Sequence, residues 1–148
     1  MNTIYAEGPF RQEEGILGAA GIYPGMLVKL NSEGEYVVHA TEGGFAERIF
    51  VKEDNFQGKT VDDVLTVDEP AQLLIMSKGS RCQALLEAGY AYVEGDQLIS
   101  SGNGKLKPKD DVDSDVTVED VVAVIPVDSD VDLSESGSAD TLKVVRIL

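Results

Sequence analysis

The sequence predicts an all-β protein: a small β-barrel or β-sandwich body over residues 21–148, with few or no long helices, preceded by an extended N-terminal arm over residues 1–20. Three observations carry this. Short runs rich in Val, Ile and Leu recur between turns rich in Gly, Asn and Asp. No amphipathic run of ten or more residues has helical spacing. The first twenty residues hold apolar anchors in no period that a strand or helix would share. The 148 residues and 43% hydrophobic content fit one globular domain, and with 6% aromatics and no Trp its core must be built mainly from Val, Leu, Ile and Ala.

In chain order, the arm carries Ile4, Tyr5, Phe10, Ile16 and Leu17, and Gly8-Pro9 interrupts any regular element in it. Apolar anchors without periodicity cannot bury each other, so the arm must fold onto the body or grip another chain. Ile22 to Gly25 reads as a turn, followed by a strand over Met26–Leu30, a turn at Asn31–Gly34 and a returning strand over Glu35–Ala40. Arg48–Val51 is a third strand, 53–60 a polar loop, and Thr60–Leu65 an irregular turn. Ala71–Met76 is apolar on both faces and reads as a central strand.

After a turn at Lys78-Gly79, Arg81–Glu87 places Cys82, Ala84 and Leu86 on one face of a strand. A Gly95-Asp96 turn leads into a short strand ending at Ile99. Ser101-Gly-Asn-Gly104 predicts a hairpin with a type I′ turn at Asn103-Gly104, because that pair tolerates positive φ. Lys105–Lys107 returns, limited by Pro108. Lys109–Asp115 is an acidic loop, Thr117–Val127 a long strand ended by Pro126, 128–140 a polar loop, and Thr141–Leu148 a paired closing strand.

The net charge of −15 would repel nucleic acid and anionic membranes. The single cysteine, Cys82, excludes an internal disulfide and reads as a small buried hydrophobe. There is no basic-then-apolar leader pattern and no run long enough to span a bilayer, so the chain is expected to be soluble and made in the cytosol. A calcium loop beginning at Asp111 fails, with Val116 and Val122 where Gly and Glu are required. One beginning at Asp128 fails with Leu133 at the Gly position. His39, the sole histidine, reads as an exposed strand residue. A Ser–Lys dyad, for example Ser101 with Lys105, is what a hydrolase reading would use. No catalytic, cofactor or metal site is expected.

A set of short phrases then falls in a meaningful order: Ala20–Val28 around Pro24-Gly25; His39–Glu47 around Gly43-Gly44; Glu53–Gly58 followed by Thr60–Asp63; Tyr92–Leu106 with its Gly95-Asp96 and Gly102–Gly104 turns; Asp132–Ser134; and Val144–Ile147. Through them the span Ala19–Leu148 resembles the small capsid decoration, or cement, proteins of tailed-phage heads. The resemblance implies a non-catalytic structural protein without cofactors. It would bind the outer surface of the major capsid protein lattice after head expansion, as homotrimers at three-fold and quasi-three-fold positions, and resist the pressure of packaged DNA. It would be made in the host cytoplasm and reside on the virion exterior. Some members of the family use an extended N-terminal arm, which makes Ile4, Tyr5, Pro9, Phe10, Ile16 and Leu17 the candidate partner contacts. The rival readings are a carrier or ligand-binding barrel, from the turn within Glu94–Leu98, and the Ser–Lys hydrolase.

Overall fold

The protein is represented by a computed structural model that describes residues 3–109 and 120–148. Among the described residues it is all-β, with a 3₁₀ turn at Asn55–Gln57 and no α-helix. The strands are β1 (Ala6–Glu7), β2 (Phe10–Ile16), β3 (Val28–Leu30), β4 (Tyr36–Val38), β5 (Ile49–Val51), β6 (Pro70–Met76), β7 (Arg81–Leu86), β8 (Ala91–Tyr92), β9 (Gln97–Ser100), β10 (Leu106–Pro108), β11 (Ala123–Val124), β12 (Val131–Asp132) and β13 (Thr141–Ile147).

Strand β7 closes a barrel. Its neighbours run β7–β10–β9–β11–β13, and β13 returns to pair antiparallel with β7 from Thr141↔Leu86 to Arg146↔Arg81. The alternation seen in the sequence explains which side faces in: Cys82, Ala84 and Leu86 join Leu98, Leu106, Val145 and Ile147 in one buried cluster. Burial pushes the Cys82 thiol up to about 12. Native protein at pH 8 should therefore resist alkylation at Cys82, and denatured protein should react. Rapid native labelling would contradict the buried placement.

The far edge of β7 is shared by segments remote in sequence. Ala6 and Glu7 of β1 pair with Cys82 and Arg81, Leu106 pairs with Leu86, and the Leu85 N–H donates to the Gly25 carbonyl at 3.0 Å between them. Gly25 has φ +87°, and a Cβ there would lie 2.3 Å from a Leu142 methyl, so this close approach requires glycine.

A second, antiparallel sheet of order β2–β6–β5 packs on the barrel. Its central strand β6 is apolar on both faces because each face serves a different core. Leu74 and Met76 enter the barrel cluster, while Ala71 and Leu73 enter a smaller one with Leu17, Ile22, Val28, Ile49, Val51 and Leu65. On β5, Phe50 faces the barrel cluster while its neighbours Ile49 and Val51 face the smaller one. The β3–β4 hairpin borders this second core, with Val28 inside it and Tyr36 and Val38 against it.

Residues 3–20 lie along the body. β1 joins the edge of β7 and β2 pairs with β6 along all seven of its residues, the break falling at Gly8-Pro9. Strand β2 lacks alternation because it is an edge strand with five of its seven residues exposed, so neither face demands apolar side chains. The inward end of the segment is held by Glu53, which is fully buried and accepts the Ile4 N–H on Oε2 at 2.8 Å, while Oε1 has no partner. Glu53→Ala should cost about 1–3 kcal/mol and speed amide exchange first over residues 4–7. Glu53→Gln, which keeps an acceptor for that N–H, should cost less. Equal melting curves for the alanine variant and the parent would refute the anchoring role.

Three further expectations change. The 101–104 turn is not type I′: Gly102 and Gly104 have φ of +90° and +82°, but Asn103 does not have positive φ. Residues 101–105 form a wider loop, closed by the Ser101 N–H on the Lys105 carbonyl at 2.9 Å. Of the long strand expected over Thr117–Val127, residues 117–119 lie outside the described set, and only Ala123–Val124 is strand. Ile125 is turned into hydrogen bonds with Gly95 and Asp96. The polar loop 128–140 contributes the two-residue strand β12, which pairs with β8.

Candidate interaction surface

His39 is buried, not exposed: 3% accessible, just after β4. Its Nε2 lies 2.8 Å from the Phe45 carbonyl, which can only accept, so Nε2 carries the proton. In the neutral ring Nδ1 then accepts the hydroxyl of Ser100 at 2.6 Å, a residue 61 positions away and itself fully buried. The Ser100 oxygen also accepts the Gly102 N–H at 3.2 Å. The pair braces the loop after β4 against the end of β9, and the Ser100 hydroxyl proton is committed to His39.

Ser101 and Lys105 are not joined through their side chains. The Ser101 hydroxyl bonds to Asn103 Oδ1 and the Lys105 carbonyl, while Lys105 Nζ sits 2.7 Å from Asp140 Oδ2. Burial alone would raise the Asp140 pKa. Hydrogen bonds from Lys105 and from the Ala88 N–H, together with the Lys105 charge, outweigh that and hold it below 3.8. Because the folded value is the lower one, the stabilisation is present above pH 3.8 and is lost as pH falls through the folded value. Asp140→Asn should therefore flatten the decline in melting temperature as pH falls below 3.8. An unchanged acid limb would refute this.

Lys105 and Asp140 border an open groove of about 940 Å³, which Tyr23, Met26, Val61, Leu85 and Leu142 line on its apolar side. Two carboxylates of the 128–140 loop are engaged within the chain: Asp130 accepts the Glu94 N–H, and Asp132 accepts both the N–H and hydroxyl of Ser134. Among the described residues no group of three or more His, Cys, Asp or Glu is placed to hold a metal ion. The acidic stretch 110–115 lies outside the described residues.

The six arm residues separate into two sets. Ile4 and Leu17 are buried, one in each core, and face this chain's own interior. Tyr5, Phe10 and Ile16 are each about 40% accessible, and Pro9 is exposed. The Tyr5 hydroxyl bonds to Glu7, which raises its pKa. Phe10 and Ile16 mark the two ends of β2, with Arg11, Gln12 and Glu14 also exposed between them. Arg11 pairs with Glu13 at 2.8 Å.

Two aromatic side chains outside this set are more exposed. Phe45 is 65% accessible, and its ring receives the Arg48 guanidinium 5.7 Å from its centroid. Phe56 is 87% accessible and lies on the 3₁₀ turn at Asn55–Gln57. That turn is stitched: Gln57 and Lys59 N–H both donate to the Asp54 carbonyl, Gly58 N–H donates to Asn55, and Gly58 caps it at φ +72°. Asp63 accepts from the Thr60 N–H at 2.7 Å, and Lys59 Nζ binds the Val64 carbonyl and the Thr66 hydroxyl. The sequence reading placed Phe56 in a polar loop. The signal available there was a lone large aromatic beside a Gly-capped turn.

Neither a protein-family model nor a curated protein matches the sequence. Among solved structures, the chain is similar to the N base of the head fiber gp8.5 of bacteriophage phi29, with a TM-score of 0.55 and 13% identity over 95% of each chain. At that identity the likeness is one of fold, and it runs nearly the full length of both chains.

Proposed function

We propose that this chain is a structural protein of a tailed-phage head, a decoration protein that binds the outer face of the major capsid protein lattice. The observation that carries this reading is the likeness, over 95% of both chains, to the base of a phage head fiber. The ordered phrases shared with decoration proteins support it from the sequence. In this reading the protein sits as homotrimers at three-fold and quasi-three-fold positions and stabilises the expanded head. The capsid contact is the exposed edge of β2 with Tyr5, Pro9, Phe10 and Ile16. An extended capsid segment adds to this edge through main-chain hydrogen bonds, and the apolar side chains at its ends fill pockets. Many copies on one shell make a modest single contact durable.

The carrier reading needs a freely presented hairpin tip. Here Gly104 is tied on both sides, its carbonyl accepting from Leu27 at 2.7 Å and its N–H donating to His39 at 3.2 Å. For the hydrolase reading, the Ser101–Lys105 pair is not assembled, since Lys105 is given to Asp140.

Deleting residues 1–20 would remove Ile4 and Leu17 from the two cores, so the test uses substitutions. Full-length protein should co-sediment with expanded, empty capsid shells of its phage. Phe10→Ser with Ile16→Ser should keep the melting temperature and weaken binding at least tenfold. Parent protein that fails to bind shells overturns the decoration reading. A double variant that binds equally well overturns the β2 contact. Mass measurement of the protein in solution and after release from shells tests the trimer.

A further inference from the structure

We infer that the 54–66 loop is a second docking element, in which Phe56 anchors into an apolar socket rimmed by lysine or arginine on the capsid protein. This rests on the head-surface reading above and adds a contact that β2 does not supply. A phenyl ring left 87% accessible gains nothing from this chain's own cores. It is nevertheless held firmly outward, because Asp54, Asn55 and the Gly58 cap fix the turn beneath it, and Lys59 and Asp63 fix the return of the loop. With the backbone beneath it fixed in advance, docking has to order only the ring's own two torsions, a small cost against a large apolar contact.

Phe45 contrasts with it, since its ring already carries the Arg48 cation. The composition of the loop that carries Phe56 sets the charge its partner must match. From Asp54 to Glu69 the sequence places Asp54, Asp62, Asp63, Asp68 and Glu69 against the single base Lys59, whose ammonium is spent on Val64 and Thr66. An apolar knob carried on an acidic loop is complementary to an apolar pocket with a cationic rim, and is repelled by an acidic one.

The test measures co-sedimentation of full-length protein with empty expanded shells at low and moderate salt. Phe56→Ala should leave the melting temperature unchanged and weaken binding ~30-fold, as loss of a central aromatic anchor does. Phe56→Leu should recover part of the loss. Asp54→Asn with Asp62→Asn should weaken binding at low salt and flatten its salt dependence; Asp63 is left alone because it caps Thr60. With p-benzoylphenylalanine at position 56, ultraviolet light should crosslink the chain to a capsid peptide containing Lys or Arg. If the parent binds shells and Phe56→Ala binds equally, the inference is overturned while the head-surface reading stands. If the crosslink forms only to another copy of this chain, the capsid socket is likewise overturned. If the parent does not bind shells, both fall.

Discussion

Replacing Phe50 by Ala should lower the unfolding free energy by about 3–5 kcal/mol, the loss expected when a large, fully buried side chain is truncated. Phe50 is fully buried in the barrel cluster, on a strand whose next residues on either side, Ile49 and Val51, lie in the other core. Its backbone also bridges to Leu27. Truncation therefore opens a cavity at the place where the two packing units meet, and neither can collapse to fill it without moving β5. Phe50→Leu should cost roughly 1–2 kcal/mol, because most of the volume remains. Urea unfolding with linear extrapolation measures both. A loss below about 1 kcal/mol for the alanine variant would mean that the site relaxes freely and that the two-core description is wrong.

Arg48→Met should cost about 3–5 kcal/mol by a different route, the stranding of polar groups. The guanidinium donates to the carbonyls of Ala46, Val121 at 2.7 Å and Leu148 at 3.2 Å, joining three stretches of chain at one point. Burial lowers the Arg48 pKa, and Asp120 opposes that shift. Methionine preserves much of the stem's packing and removes every donor. Arg48→Lys should fall between the two, since a single ammonium cannot address three carbonyls in the fork geometry of a guanidinium. Amide exchange should accelerate at Val122 and Leu148, which are hydrogen-bonded to each other or to Leu98 beside the clamp. A Met variant with parental stability would refute the clamp.

The sequence revealed most where a residue's surroundings are set by its own neighbours. The two apolar faces of Ala71–Met76, the inward stripe Cys82, Ala84, Leu86, and the paired strand Thr141–Ile147 follow from local alternation. What it concealed depends on distant partners. His39 looked exposed because Ser100, which accounts for its burial, is 61 residues away. Barrel closure through β13 and β7 has no local signature. The two-residue strands β8 and β12 are too short to show a period. The 101–105 loop departs from the turn that Asn103-Gly104 favours in isolation because Gly104 is bound on both sides by Leu27 and His39.

Of the proposed contacts, Tyr5, Pro9, Phe10 and Ile16 could be recognised as apolar residues without a partner in the pattern. Nothing in their spacing separates them from Ile4 and Leu17, which the chain buries itself. An apolar residue in an aperiodic stretch carries no mark of whose surface it will meet.

The shared edge of β7 sets the order in which this protein can assemble. Cys82 and Arg81 await Ala6 and Glu7, Leu85 awaits Gly25, Leu86 awaits Leu106, and the opposite edge awaits Thr141–Arg146 from the end of the chain. Every one of these closures joins residues far apart in sequence, so loop entropy is lost before packing compensates for it. Folding is accordingly expected on the millisecond-to-second scale of non-local β proteins. During synthesis β7 leaves the ribosome with β13 still to come, and the strand stays one-sided until residues 141–146 arrive. The acidic surface then has a second consequence: mutual repulsion keeps neighbouring unfinished chains from lending one another the missing strand.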